Sequence, residues 1–299
     1  MTALAAKNDA KNEAKNEAKG EAKLSNAFDG AAARARCKRH RKRILEMTQS
    51  VSALHVGGAF SATEIVDCIY YGLMRPGANG VVGKDAPDTF LMSKGHGYMI
   101  QAVILEDLGV LKRSDLAAYC TPTGKLGVHP DYGIPGIEAS TGSLGHGLSL
   151  ALGMAYAEMT RNRIGNVYTV LSDGEVQEGS TWEATLMASS LKVRNLVAFI
   201  DNNDMQSLGF THVTHPSFYP VVDKFRAFGW DCVEVNGHDS FAIYNAVASR
   251  KGDRPLMVNC KTTKGRGVSY MENVPMWHYR SPNKAEYEQA VREIDEATE

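Results

Sequence analysis

The sequence predicts an α/β fold in which a parallel sheet carries helices on both faces. Short apolar runs rich in β-formers recur without polar alternation, as strands buried on both sides do. Helical patterns of about 10–15 residues separate most of them. The 299 residues, 43% hydrophobic and 22% charged, are enough for one large core.

Residues 1–25 stand apart from 26–299. AKNDAKNEAKNEAKGEAK places Lys7, Lys11, Lys15, Lys19 and Lys23, and likewise Glu13, Glu17 and Glu21, at every fourth position. A helix would stack like charges at i,i+4 and bury almost nothing apolar, so a solvated, disordered low-complexity tail is expected. A single globular domain is expected from residue 26. It opens with a basic amphipathic segment, Ala31–Ala53, and a helix at Ser61–Leu73 that Ser61 could cap. Strands are expected at Thr89–Met92, Val167–Leu171, Leu196–Ile200, Cys232–Val235 and Leu256–Cys260. Helices are expected at Gly147–Arg161, Ser180–Leu191, Ser217–Phe228 and Ser240–Ser249. Ligands of such sheets sit beyond the carboxyl ends of the strands, so the loops after VYTVL and LVAFI are where a site is sought.

Composition removes several classes of function. Thirty-three Lys+Arg against 34 Asp+Glu give a net charge of −1, with no global attraction to nucleic acid or an anionic membrane. The basic run Arg34, Arg36, Lys38, Arg39, Arg41, Lys42, Arg43 is expected to be a solvated helix face, since Ile44, Leu45 and Met47 continue an apolar stripe beside it. No apolar run reaches the roughly 18 residues of a spanning helix, and no secretory signal is visible. Five scattered cysteines without a CxxC pair indicate neither a disulfide frame nor a zinc site, so a cytoplasmic protein is expected.

The strongest chemical signal is VLSDGEVQEG (Val170–Gly179) followed by AFIDNN (Ala198–Asn203). Asp173 and Asn203, about 30 residues apart across strand, helix and strand, would project into one crevice from adjacent strand ends. A carboxylate and an amide oxygen form part of a shell for a hard divalent ion such as magnesium, which commonly shares its site with ligand phosphates. Gly174 lets the backbone approach such a phosphate, and the N-terminus of the following helix adds a favourable dipole. Taken singly, Asp173 could equally cap a turn and Asn203 fill an Asx-turn.

Asp-Gly followed by about 30 residues and Asn resembles the diphosphate signature of thiamine-diphosphate enzymes. Further motifs narrow the resemblance to the transketolase family: LMSKGHGY (Leu91–Tyr98), STGSLGHGL (Ser140–Leu148), SDGEVQEGSTWEA, SALHVGGAFSATEI (Ser52–Ile65) and KTTKGRGVSYMENVPMWH (Lys261–His278) stand in that family's order. The resemblance spans about residues 31–285 and implies the thiamine-diphosphate-binding fold. It implies that Asp173, Asn203 and the main-chain carbonyl of Met205 hold Mg²⁺ against the cofactor diphosphate. Gly174, Glu175, Lys264 and His96 would belong to the diphosphate end, and Gly142, Ser143 and Leu144 to the aminopyrimidine loop. His55, His129 and His278 would line the substrate channel, binding sugar hydroxyls and moving protons. Glu178, grouped with them, would lie at a subunit interface. His146 is a weaker second-layer candidate, and His40, His212, His215 and His238 match nothing.

The family continues with a pyrimidine-binding and a C-terminal domain, and the resemblance in this sequence stops before them. The resemblance therefore implies the N-terminal subunit of a split transketolase. Its partner would be a C-terminal subunit carrying the pyrimidine-binding domain, most simply in an α₂β₂ assembly. Together they would move a two-carbon ketol unit from a ketose to an aldose, as sugars or sugar phosphates. Departures occur at Ser172, Ser143, Val56 and Tyr279, where the family usually has Gly, Pro, Pro and Gly; Tyr279 stands where it would narrow or reshape the substrate channel. A subunit resembling 1-deoxyxylulose-5-phosphate synthase or a dehydrogenase E1α, and a noncatalytic regulatory half-copy, stay open.

Overall fold

In the computed structural model, which describes residues 28–51, 53–77, 86–163, 165–207 and 209–297, the strands in chain order are β1 (Thr89–Met92), β2 (Val167–Ser172), β3 (Leu196–Asn202), β4 (Met205–Gln206), β5 (Gly209–Phe210), β6 (Asp231–Asn236) and β7 (Leu256–Lys261). Five form one parallel sheet in the order β1-β2-β3-β7-β6, while β4 and β5 pair as a small antiparallel hairpin. Four of the five sheet strands run a residue or two beyond the apolar pattern. In β2 and β3 the added residues, Ser172, Asp201 and Asn202, are polar groups buried at the site. β2 and β3 are buried at every position, as expected of central parallel strands.

The helices in chain order are α1 (Gly30–Thr48), α2 (Val56–Ser61), α3 (Thr63–Cys68), α4 (Tyr98–Asp107), α5 (Arg113–Ala117), α6 (Gly147–Thr160), α7 (Gly179–Ser190), α8 (Thr211–Thr214), α9 (Val221–Ala227), α10 (Ser240–Ala248) and α11 (Lys284–Glu296). The sheet divides the core in two. One side packs Leu171, Ala198 and Ile200 against α6, α7 and α9. The other packs Val170, Phe199 and Val258 against α1, α2, α3, α4, α10 and α11. From β1 the chain passes through α4 and α5 on the second side and α6 on the first to reach β2. It continues through α7 to β3 and α9 to β6 on the first side, then turns back to β7 through α10 on the second. Strand order therefore reverses beside β3 and β7, the crevice where such sheets bind ligands.

Several expectations are corrected. The first helix is capped by Asp29, whose carboxylate accepts from Ala31 and Ala32, and it stops at Thr48 instead of Ala53. Ser61 does not cap the second: that segment breaks into α2, α3 and a π-turn at Ile69–Leu73, and the Ser61 hydroxyl donates to Asp201 at 2.6 Å. Pro220 delays the Ser217 helix to Val221, because proline in a helix interior removes a donor and clashes with the preceding turn. α4, buried from Tyr98 through Leu105, carries no amphipathic stripe to read, and α11 begins at an Asn283–Glu286 capping box.

The basic run on α1 is not a solvated face. Arg41 is buried and clasps Glu64 at 2.6 and 2.7 Å. Arg36 binds fully buried Asp67 through two 2.9 Å bonds, Arg43 meets Glu106 at 2.7 Å, and Lys42 meets Asp295 at 2.6 Å. Helices α3, α4 and α11 each bring an acid to α1, so these charges dock the helix; Arg34 and Arg39 stay exposed. Among the described residues no helix is long and apolar enough to cross a membrane. The tail at 1–25 lies outside the described residues.

Candidate active site

The carboxyl ends of β2, β3 and β7 bring the motif residues together. β2 and β3 are neighbours, with Ser172 opposite Asp201, so Asp173 and Asn203 leave adjacent strand ends as the spacing requires. Asp173 is fully buried; its Oδ1 accepts from Gly174 N–H at 2.9 Å, and its Oδ2 has no hydrogen-bond partner among the described residues. Burial, and then the Asp201 charge, push its carboxyl up to about 7. Such a group calls for a cation. Asn203 directs Nδ2 to Asp201 at 3.2 Å, while its Oδ1 accepts from Met205 N–H at 3.1 Å, an Asx-turn that leaves the oxygen a second lone pair. Gly174 has ordinary helical φ, and a Cβ there would meet only Gln206 Cβ at 3.5 Å and Ser172 Oγ at 4.0 Å. Nothing inside the chain requires glycine here, which suits close approach by a ligand. Ser172 is accommodated because its hydroxyl accepts from Glu175 N–H at 3.1 Å.

Beneath these strand ends lies a polar hub. Asp201 and Lys94 are both fully buried and form an ion pair. Lys94 also donates to Gly58 O at 2.8 Å, and Asp201 accepts from Ser61 and from the Thr262 hydroxyl. The hub joins α2, the β1 loop, β3 and the β7 loop behind the site.

Four histidines converge above it. The His55 ring lies 5.5 Å from His96, 6.3 Å from His129 and 5.3 Å from His278. They come from the start of α2, the Gly95–Gly97 turn, the loop after α5 and the Pro275–His278 turn. Gly58 stacks directly under His96, where a Cβ would approach to 3.3 Å. Buried Lys264 donates to Nδ1 of His278 at 2.6 Å, which leaves the ring proton on Nε2. Burial, aided by nearby cations, lowers His55 to about 4 and His278 to about 3, and takes His96 well below its usual range. Burial also lowers Lys264 to about 8. At neutral pH the imidazoles of His55, His96 and His278 are therefore neutral beside the Lys264 ammonium. Tyr279 packs on His55 at 4.6 Å and is 51% exposed.

The Ser140–Gly147 loop closes the remaining wall. Gly142 has φ +144°, and a Cβ would lie 2.9 Å from the His129 ring. Gly145, at φ +84°, leaves no room for a Cβ beside Ser180 and Glu178. Buried Glu175 accepts from Ser93 at 2.5 Å, from Gly145 N–H at 3.0 Å and from Ser172 N–H at 3.4 Å, tying this loop to the strand ends; burial raises its carboxyl to about 7. Ser143, His146 and Glu178 are exposed, whereas Leu144 is half-buried. Among the described residues no three His, Cys, Asp or Glu cluster as a metal site. The oxygen set of Asp173, Asn203 and Met205 contains one such residue, and its orphaned Oδ2 is what fits a divalent ion.

Residues 34–294 match the family described as transketolase, thiamine diphosphate binding domain. The chain belongs to that family. It is 37% identical over 269 residues to an apulose-4-phosphate transketolase subunit of Phocaeicola vulgatus, covering 88% of this chain and 93% of that protein. It is 34% identical over 258 residues to the 6-deoxy-6-sulfo-D-fructose transketolase subunit SqwG of Clostridium sp. (strain MSTE9), covering 85% and 93%. Transketolase from Leishmania mexicana superposes with a TM-score of 0.80 at 25% identity, over 88% of this chain and 41% of that one. The chain thus spans about two fifths of that transketolase and nearly all of the two subunit proteins. The sequence resemblance and the fold it implied are borne out: this is the N-terminal, diphosphate-binding part of a transketolase.

Within this transketolase domain, sequence reasoning passed over Lys94, Asp201, Glu64 and His238. Lys94 and Asp201 sit inside the quoted motifs but were absorbed as neighbours of the glycines and amides. His238 was set aside as an isolated histidine, although it follows β6 at the same end of the sheet as the other loops.

Proposed function

We propose that this chain is the diphosphate-binding subunit of a two-component transketolase that passes a two-carbon ketol unit from a ketose to an aldose. The observation that carries this is the buried Asp173 carboxylate, whose Oδ2 has no hydrogen-bond partner among the described residues, at the same strand ends as the Asn203 amide, buried Lys264 and the histidine group. When bound, thiamine diphosphate supplies the carbon nucleophile that carries the two-carbon unit. Asp173, Asn203 and the Met205 carbonyl would hold Mg²⁺, and Gly174 leaves room for the diphosphate. Lys264 balances the diphosphate charge and His96 donates to its oxygens. Gly142 and Leu144 would face the aminopyrimidine with backbone groups beside Ser143, with Glu175 fixing that loop from behind. His55, His129 and His278 would bind sugar hydroxyls and move their protons; the neutral rings of His55 and His278 can accept one before giving it back.

The partner in this reading is a C-terminal subunit carrying the pyrimidine-binding domain, in an α₂β₂ assembly with Glu178 at the interface. That the Phocaeicola vulgatus relative is itself named as one subunit of its transketolase supports a partner. So do the exposed Leu150 and Tyr156 on α6 and Leu186 and Met187 on neighbouring α7. Five free cysteines suit a reducing cytoplasm. The test is reconstitution. Thiamine diphosphate with Mg²⁺ should raise the melting temperature slightly for the chain alone and much more with the pyrimidine-binding subunit, and ketol transfer should need both. Robust transfer by the isolated chain would overturn the two-component reading.

A further inference from the structure

We infer that His238 is a positioning residue for the loop that carries Lys264, acting as a fixed link between Glu64 and the Thr263 backbone. The Thr263 N–H points to His238 Nε2 at 2.8 Å, and His238 Nδ1 lies 2.9 Å from Glu64 Oε2. A backbone N–H can only donate, so Nε2 must present its lone pair and Nδ1 must carry the proton toward Glu64. Glu64 is a dependable acceptor. Burial pushes its carboxyl up, but Arg41 and His238 outweigh that and hold it at about 2. Arg41 in turn is locked by its two bonds to Glu64 and one to Phe60 O at 2.9 Å. The His238 backbone is set by its own N–H donating to Asn236 Oδ1 at 3.0 Å.

The link ends one residue before Lys264, whose ammonium meets His278. Elsewhere this loop is pinned by main-chain bonds: Thr262 N–H to Asn202 O, Gly265 N–H to Gly57 O, and Asn273 N–H to Lys264 O. His238 adds a side-chain acceptor at the intervening Thr263 amide. Its imidazole and Glu64 also line a cavity shared with Arg34, Cys37, Arg41 and Asn236, a different group from the histidines of the candidate site. Through this link His238 acts on the loop. The consequence for affinity rests on Lys264 meeting the diphosphate.

The experiment compares H238F, which removes both bonds, with H238Q, whose amide offers an acceptor and a donor at similar separation. In the full chain, exchange of the Thr263 amide should accelerate in H238F and stay near wild type in H238Q, and nitrogen-15 spectra should read His238 as the Nδ1–H tautomer. With the partner subunit present, H238F should weaken binding of thiamine diphosphate with Mg²⁺ roughly tenfold while turnover at saturation changes less, and H238Q should restore it. Unchanged Thr263 exchange in folded H238F, or an Nε2–H tautomer in the wild type, overturns the inference. A parallel K264M variant separates the two readings. If K264M leaves cofactor affinity unchanged, the role of Lys264 fails, while Thr263 exchange still decides that of His238.

Discussion

Lys264 donates through Nζ to Nδ1 of His278 at 2.6 Å, so a buried ammonium and a neutral imidazole share one hydrogen bond inside the candidate site. Both groups are held on the low side of their ordinary values by burial, Lys264 at about 8 and His278 at about 3. The amine is thus charged at neutral pH yet close to titrating, while the ring stays an acceptor throughout the physiological range.

The affinity for thiamine diphosphate with Mg²⁺ should fall as pH rises. Below about 8 Lys264 is charged and attracts the anion; above it that attraction is lost. Calorimetry between about pH 7 and pH 9.5 should find the drop in wild type and a flatter profile in K264R, because a guanidinium stays protonated. A wild-type affinity independent of pH would refute the assignment.

His278→Ala should lower turnover of the reconstituted enzyme by roughly 10²-fold, the ordinary size of a lost acid–base group. Cofactor affinity should change far less, since Lys264 keeps its charge. Steady-state kinetics with separate cofactor titration distinguish the two, and the reverse pattern would reassign His278 to cofactor binding.

Asp173→Asn should abolish activity while stabilising the metal-free chain at alkaline pH. Folding raises this carboxyl from 3.8 to about 7, so the folded state binds the proton more tightly and stability declines as pH climbs through that interval. Without divalent ions, the melting temperature of D173N should exceed wild type at about pH 8 and converge with it near pH 4. Added Mg²⁺ and thiamine diphosphate should reverse the ranking.

Asp201→Ala leaves the Lys94 ammonium buried without its carboxylate and should cost roughly 3–5 kcal/mol in urea unfolding. Replacing both partners with apolar residues of similar volume should cost distinctly less. A D201A chain as stable as wild type would mean the pair is not buried as described.

Tyr279→Gly removes the ring that lies 4.6 Å from His55 at the rim of the histidine group. Relative kcat/KM should shift toward bulkier donor sugars, with cofactor affinity unchanged. Unaltered donor preference would remove Tyr279 from the channel wall.

The fold was legible because Val167–Ser172 and Leu196–Asn202 are buried on both faces, and double burial leaves an apolar run that a sequence displays directly. Asp173 and Asn203 were legible for a related reason: each stands in the polar break that ends such a run. What escaped notice has a different physical character. Ser61 reads as a helix cap, and only its distance to Asp201 gives the hydroxyl its actual partner. The basic side chains of α1 read as solvated because their acids, Asp67, Glu64, Glu106 and Asp295, lie 23 to 253 residues away in pairs that only tertiary packing brings together. His238 resembles an ordinary surface histidine until Glu64 and Thr263 are seen on its two nitrogens.

Gly142 presses its backbone so close to the His129 imidazole that no side chain fits between them. Under the proposed function, in which His129 would bind the sugar and the Gly142 main chain would face the vitamin cofactor, the two are thereby one mechanical part. Divergence toward new sugars could not readily proceed by nudging His129, since the nudge would be felt by the other ligand. The freer route runs through the open rim, where a residue can be exchanged without disturbing the vitamin's seat.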